Sequence, residues 1–240
     1  LNGGTPISDG PFRNGSMYLT YTNEGMPIGA FWGYKTDGLI QTQEQLNAVK
    51  RADFQPNAEL GDVLFVDTNG DGKLDSSDRC MIGNPIPDII YGINMGMAWK
   101  GFDLNLQFGG TIGNQIFNAM RYYTYFPNDI TNKDRALMNY WTPNNTNTDI
   151  PRLTATDVND NDRFSDMYVE NGTYFRLRNA QLGYTLPASL TQRIKLQKVR
   201  FYVSGQNLFT ISSYSGMDPE VGQSSSLSRG IDYGIYPQNI

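Results

Sequence analysis

The stretch DIIYGINMGMAWKGFDLNLQFGG, beginning at Asp88, restricts the possible folds more than any other part of the chain. In steps of two, Ile89, Tyr91, Ile93, Met95, Met97 and Trp99 fall on one face. Ile90, Gly92, Asn94, Gly96, Ala98 and Lys100 fall on the other. The Lys100-Gly101 pair makes a turn, after which Phe102, Leu104, Leu106 and Phe108 alternate with Asp103, Asn105, Gln107 and Gly109. A period of two kept on both arms predicts a β-hairpin with one apolar face and one small or polar face. Such hairpins occur in soluble sandwiches as well as in membrane barrels, and three details favour the membrane. The first arm runs to about eleven residues, the length a tilted strand needs to cross a bilayer and about twice the mean soluble strand. Its polar face carries small residues and amides, which suits a wet lumen. Its apolar face ends on Trp99 beside Phe102, where an interfacial aromatic girdle would lie.

Two later segments repeat the pattern. TYFRLRNAQLGYTLP, from Thr173, starts with Phe175 and Leu177 on one face and continues that face through Ala180, Leu182 and Tyr184. The one-residue change of phase near Arg178-Asn179 predicts a β-bulge. KVRFYVSGQNLFTIS, from Lys198, sets Val199, Phe201 and Val203 against Arg200, Tyr202 and Ser204. Between them Pro187 suits the start of a short helical turn, so the order is a meander of strand, compact turn, strand. Upstream, MYLTYT (17–22), PIGAFWGYKTDG (27–38) and DVLFV (62–66) read as strands, and QTQEQLNAVKRA (41–52) as a short surface helix with Leu46 and Val49 on its thin apolar side. Residues 110–172 read as one long connection, within which a helix over NDITNKDRALMNYW would use Ala136, Leu137, Tyr140 and Trp141 as its stripe. Short turns at one end and long loops at the other are the habit of outer-membrane barrels.

Composition narrows the function. Nineteen basic and 24 acidic side chains leave a net charge of −5, and no Lys/Arg-rich stripe is present, so nucleic acid is not a partner. Histidine is absent, which removes Ser-His-Asp and Cys-His nucleophiles and argues against catalytic zinc. Cys80 is the lone cysteine, expected as a small buried thiol. The chain has no apolar run of transmembrane-helix length, and the opening LNGGTPISDG has neither the basic nor the apolar region of a signal peptide. No carboxylate pair stands out as a glycosidase acid and base, and no enzyme activity is expected.

DTNGDGKLDSSD, residues 67–78, fits the EF-hand loop spacing: Asp67, Asn69 and Asp71 at positions one, three and five, Gly72 at six, the Lys73 carbonyl at seven, Asp75 at nine and Asp78 at twelve. Short oxygen-bearing side chains at alternate positions suit Ca²⁺, and with no flanking helix pair the ion's role would be structural. The shorter arm of Asp at position twelve is less suited than Glu to bidentate contact.

At this point the residues resemble a family. GDVLFVDTNGDGKLDSSDRCMIGNPIPDIIYGINMGMAWKGFDLNLQFGGTIGN, PIGAFWGYKTDGLIQ, NYWTPNNTNTDIPRL, YFRLRNAQLGYTLP and VRFYVSGQNLFTISSYSGMDPE are similar, in the same order, to the C-terminal barrel region of SusC/RagA-type TonB-dependent outer-membrane transporters. The resemblance implies an all-β fold: an antiparallel meander forming the C-terminal part of a large multi-pass transmembrane β-barrel, with long extracellular loops and a few short helices. Residues 1–240 are then expected to be a partial barrel domain, lacking the plug domain and a final strand beyond YPQNI. It also implies import of glycans or peptides, a SusD-like surface lipoprotein as lid, TonB reached through an N-terminal region, and outer-membrane lipid around the barrel. RYYTYFP (121–127) offers rings for sugar stacking or for loop packing, the latter favoured. The competing reading is a secreted, calcium-stabilised β-sandwich that binds carbohydrate, in which the 89–99 apolar face would point into a sealed core.

Overall fold

The computed structural model describes residues 5–12, 17–125, 132–221 and 225–234. In chain order the elements are β1 (Ile7–Phe12), β2 (Met17–Thr22), β3 (Ala30–Gly33), β4 (Thr36–Leu39), α1 (Gln43–Arg51), β5 (Val63–Phe65), β6 (Cys80–Gly83), β7 (Ile89–Trp99), β8 (Phe102–Ile112), β9 (Gln115–Asn118), α2 (Ala119–Tyr125), β10 (Val169–Asn171), β11 (Tyr174–Thr185), α3 (Ala188–Thr191), β12 (Arg200–Ser212) and β13 (Ile231–Asp232). They fall into two units. Of the described residues, those within 5–86, 115–170 and 221–234 form the first, and 87–114 with 171–220 form the second.

The first unit is built around buried apolar side chains. Its main sheet runs β1-β2-β3-β6, with β10-β9-β13 and β4-β5 as smaller sheets. Leu19, Phe31, Ile82, Phe117, Phe164, Tyr168 and Ile231 form one core. Leu39, Phe54, Val63, Phe65 and Trp141 form a second. α1 begins on a capping box: the Thr42 hydroxyl accepts from Gln45 N–H at 3.2 Å, and the Gln45 side chain accepts from Thr42 N–H at 3.1 Å. Its buried residue Leu46 packs with Ile40 and Ala58.

Four expectations need correction here. PIGAFWGYKTDG is two strands in different sheets, β3 and β4, separated at Tyr34-Lys35. The 110–172 span is not one loose connection. It supplies the end of β8, then β9, α2 and β10, and it contributes Phe117, Phe164 and Tyr168 to a core whose other members lie far away in sequence. Its Asn/Asp-rich part is pinned. Buried Asp62 accepts from Arg152 Nε at 2.6 Å and Asn161 Nδ2 at 3.0 Å, while Asn161 Oδ1 accepts from Val63 N–H at 2.8 Å. These amides take the place of a ladder partner that β5 lacks on that side. The anticipated helix lies partly outside the described residues. The rest is a 3₁₀ turn over Arg135–Asn139, capped by Asp134, which buries Leu137, with Trp141 buried beyond it. Cys80 is only half-buried, packed against the first core, and burial raises its thiol pKa.

The second unit is one antiparallel sheet in the order β12-β11-β8-β7. β7 and β8 pair along their whole length from Ile89↔Ile112 to Trp99↔Phe102. Lys100 (φ +48°) and Gly101 (φ +90°) close the hairpin in the left-handed region, which a two-residue hairpin turn of this hand requires and glycine adopts without strain. The bulge expected at Arg178-Asn179 is present, as a register shift between Leu177 and Asn179 against β8. Against β12 the same point shows a second shift, where Asn207 takes φ +50°. Pro187 precedes α3 as its N-cap.

Candidate functional site: a two-faced sheet and an acidic loop

The two bulges keep the faces of the four strands in phase. Cross-strand partners share a face, so the register assembles an apolar row of Met97, Leu104, Leu182 and Val203, flanked by Met95, Leu106, Ala180 and Gly205. Among the described residues no second layer covers this row: Met97 is 65% exposed, Trp99 69%, Phe201 64% and Val203 68%. Aromatic groups bound the band at both ends. Phe102 and Tyr184 pack as tilted rings at 4.5 Å between centroids, in the row that also holds Trp99 and Phe201. At the far end Phe175 lies 5.2 Å from Phe108, 6.3 Å from Phe209 and 6.4 Å from Tyr91. Ten rises from Ile89 to Trp99 cover about 33 Å of strand, or about 25 Å once tilted by ~40°, which matches the apolar band of a membrane barrel. Sequence reading found the Trp99 girdle. It missed the second one, because that girdle draws a single ring from each of four strands.

The opposite face is polar. Asn94, Gln107, Asn179 and Gln206 form one row across the sheet, and Gly96, Asn105, Gln181 and Ser204 the next. Charges are confined to its ends. At the hairpin end Asp103 accepts from Arg200 at 3.0 and 2.5 Å. At the other end Arg176, 2% exposed, donates to Asp218 at 2.5 Å and to Glu220 at 3.1 Å, and Arg178 also donates to Glu220 at 3.1 Å. This ion cluster escaped sequence reading, although Arg176 and Arg178 share the non-apolar face. Its carboxylates sit 42 to 44 residues downstream, with no local spacing to betray the pairing.

The acidic loop folds in the first unit as a string of side-chain-to-backbone turns. Asp67 accepts from Gly70 N–H at 2.7 Å and Gly72 N–H at 2.9 Å. Asn69 Oδ1 accepts from Asp71 N–H, Asp71 from Lys73 N–H and Asp75 from Ser77 N–H. Gly70 (φ +78°) and Gly72 (φ +76°) supply the bends. Asp78 is fully buried, its two oxygens accepting from Thr68 N–H at 3.0 Å and Asp75 N–H at 2.9 Å. The Gly72 and Gly70 amides hold the Asp67 pKa below the ordinary carboxylate range, with the Asp78 carboxyl also in hydrogen-bonding reach. Ser77 does the same for Asp75. Of the six expected ligand positions, the structure brings Asp67 and Asp78 together. Asn69, Asp71 and Asp75 face their own turns, and Lys73 enters through its N–H. Among the described residues no group of three Asp or Glu side chains converges to hold a metal.

An 11- to 13-residue, four-stranded sheet with an uncovered apolar face, an amide-lined reverse and aromatic rows at both ends defines a segment of a transmembrane β-barrel of the outer membrane. It does not build the alternative sandwich, whose corresponding face would be sealed. No family model matches the chain. The chain is 39% identical over 224 residues to TonB-dependent receptor P3 of Formosa agariphila, covering 89% of this chain and 21% of that protein. It is 30% identical over 186 residues to TonB-dependent receptor SusC of Bacteroides thetaiotaomicron, covering 77% of this chain and 17% of that protein. Among solved structures, that of the RagAB peptide transporter matches with a TM-score of 0.67 and 25% identity, over 91% of this chain and 22% of that one. The chain belongs to the SusC/RagA type of TonB-dependent receptor, a family of outer-membrane transporters rather than enzymes. It spans about a fifth of the length of the curated relatives it matches.

Proposed function

We propose that the chain is a wall segment of an active transporter that imports glycans or peptides across the outer membrane. In this reading a SusD-like surface lipoprotein delivers the ligand, and TonB, engaged by a region outside this chain, supplies the energy. The observation that carries the reading is the second unit's sheet, whose apolar side chains are exposed along a height that suits lipid while amides line the reverse. The neighbouring RagAB is a peptide transporter, which supports the peptide half of this cargo range, and SusC is named a TonB-dependent receptor, which supports this energy source. The test is uptake of fluorescent oligosaccharides and peptides by cells carrying the intact protein, with and without its lipoprotein and with TonB removed. TonB-dependent accumulation of at least one cargo is expected; accumulation of none, with the protein assembled in the outer membrane, sinks the reading.

We also infer a structural Ca²⁺ in the 67–78 loop. Asp67 and Asp78 lie within reach of each other, and a cation beside them would relieve the repulsion that their backbone N–H donors offset only in part. With Asn69, Asp71, Asp75 and the Lys73 main chain beside them, the donor set is all hard oxygen. The ion would neutralise the loop and fix it. Protection of the loop from proteolysis by millimolar Ca²⁺, lost in Asp67→Ala, is the expected result; equal cleavage with Ca²⁺ and with chelator refutes it.

A further inference from the structure

The two ends of the second unit's sheet differ in charge. The hairpin end, residues 97–104 and 182–203, carries Lys100, Arg193, Lys195, Lys198 and Arg200 against the single carboxylate Asp103, so 5 − 1 = +4. The other end, residues 86–91, 108–114, 171–178 and 209–220, carries Arg176 and Arg178 against Asp88, Asp218 and Glu220, so 2 − 3 = −1. The excess at the hairpin end stands out in a chain whose net charge is −5. Asp103 is already engaged by Arg200, and among the described residues the other four cations form no salt bridge. Lys100 sits 4.7 Å over the Trp99 ring. Arg193, Lys195 and Lys198 are exposed on the β11–β12 connection, interleaved with Leu190 and Leu196, each 49% exposed.

We propose that this end of the sheet is a docking surface for the phosphodiester headgroups of anionic phospholipids. The proposal rests on the membrane-spanning reading and adds which lipid chemistry surrounds which end. The physical reason is placement. The Trp99, Phe102, Tyr184 and Phe201 row marks where hydrocarbon ends, and the four cations follow it immediately, on stems long enough to keep their heads at headgroup depth. The exposed leucines give the connection an apolar side to lay on the acyl boundary, as an interfacial amphipathic segment does. Charge complementarity selects the occupant: a zwitterionic headgroup offers these cations no net attraction, whereas a phosphatidylglycerol surface does.

The test uses the intact protein, purified in detergent and equilibrated with mixed micelles of equal phosphatidylglycerol and phosphatidylcholine, the retained phospholipid being measured by mass spectrometry. Each cation near an anionic surface contributes roughly a fivefold factor, so a preference for phosphatidylglycerol of about tenfold or more is expected at low salt. It should fall towards parity in R193Q/K195N/K198Q, where Asn is chosen at 195 because that residue has φ +58°. It should also fall for the wild-type protein at ~0.5 M salt, where screening is short-ranged, an arm that holds even if the variant does not assemble. A preference unchanged in the variant and by salt, or no preference at all with both lipids retained, overturns the headgroup proposal alone. Retention of neither lipid, with the protein soluble without detergent, overturns the membrane reading beneath it.

Discussion

The two units of this chain resolve the same apolar side chains in opposite ways. In the first, Phe31, Phe117, Phe164 and Tyr168 are wholly buried, and the residues that hide them come from sequence positions as far apart as 19 and 231. In the second, Met97, Trp99, Phe201 and Val203 are mostly exposed, and what is buried instead is an ion cluster around Arg176. Water forces the first arrangement, because apolar area left exposed costs about 25 cal/mol per Å². The second is stable only where the medium outside is itself hydrocarbon and the hydrated groups look inward. One chain is therefore folded for two solvents.

That contrast can be broken most sharply at its buried ions. Asp218→Ala leaves Arg176 almost without exposure and with Glu220 as its remaining carboxylate, and breaking a buried pair of this kind costs ~3–5 kcal/mol. The expected loss is a large drop in unfolding midpoint of the intact protein in denaturant titration, partly restored by the double change Arg176→Met/Asp218→Leu. A drop below ~1 kcal/mol means the cluster is solvated and the Arg176 charge is not a buried one.

Next in size is a matched pair of large-to-small substitutions. Leu19→Ala in the first core should cost ~2–5 kcal/mol, since the cavity it leaves cannot be refilled. Met97→Ala on the band should cost much less, because acyl chains move into the vacated space. Equal costs measured by the same unfolding assay erase the distinction between the two media. Somewhat smaller, Met95→Arg puts a charge near the middle of the band, where the penalty is ~2–4 kcal/mol. Asn94→Arg, one residue away on the amide face, should be tolerated. The ratio of assembled to unassembled protein in outer-membrane fractions reads both, and the reverse order of sensitivity inverts the two faces.

How much of this the sequence discloses follows from the same contrast. The β7–β8 hairpin, its Lys100-Gly101 turn and the bulge at Arg178-Asn179 are legible because each face of the sheet meets a uniform medium, so strict alternation survives and any change of phase marks a bulge. The first unit offers no such regularity. Phe117, Phe164 and Ile231 become neighbours only in three dimensions, and the polar residues around Asp62 look like loop filler until Asn161 and Arg152 are seen bonded to it. The break of 27–38 into two strands is hidden for the same reason, because each half takes its partner from a different sheet. The β12 irregularity had one local signal, an Asn after Gln206, the residue that best tolerates the left-handed region outside glycine. The acidic loop is the reverse case: its spacing is fully legible, yet its carboxylates are largely occupied by their own amides.

The smallest expected effect belongs to that loop and tests whether those amides hold it. Asp67 binds a proton less readily folded than unfolded, because the N–H groups of Gly72 and Gly70 point at its charge. A carboxyl whose folded pKa lies below its unfolded value of about 3.9 contributes stability above that value, and the contribution is lost as pH falls through the folded value. Asp75, held by Ser77, acts in the same direction. Hydrogen-exchange protection of the Gly70 and Gly72 amides, corrected for intrinsic rates, should therefore stay flat from neutral pH to about 5 and decline below about 4. Asp67→Asn keeps an acceptor oxygen without the titrating charge and should flatten that decline. Protection that rises on acidification instead would mean that repulsion between Asp67 and Asp78 outweighs the amide cradle, and that the loop is held open at neutral pH until a cation or a proton closes it.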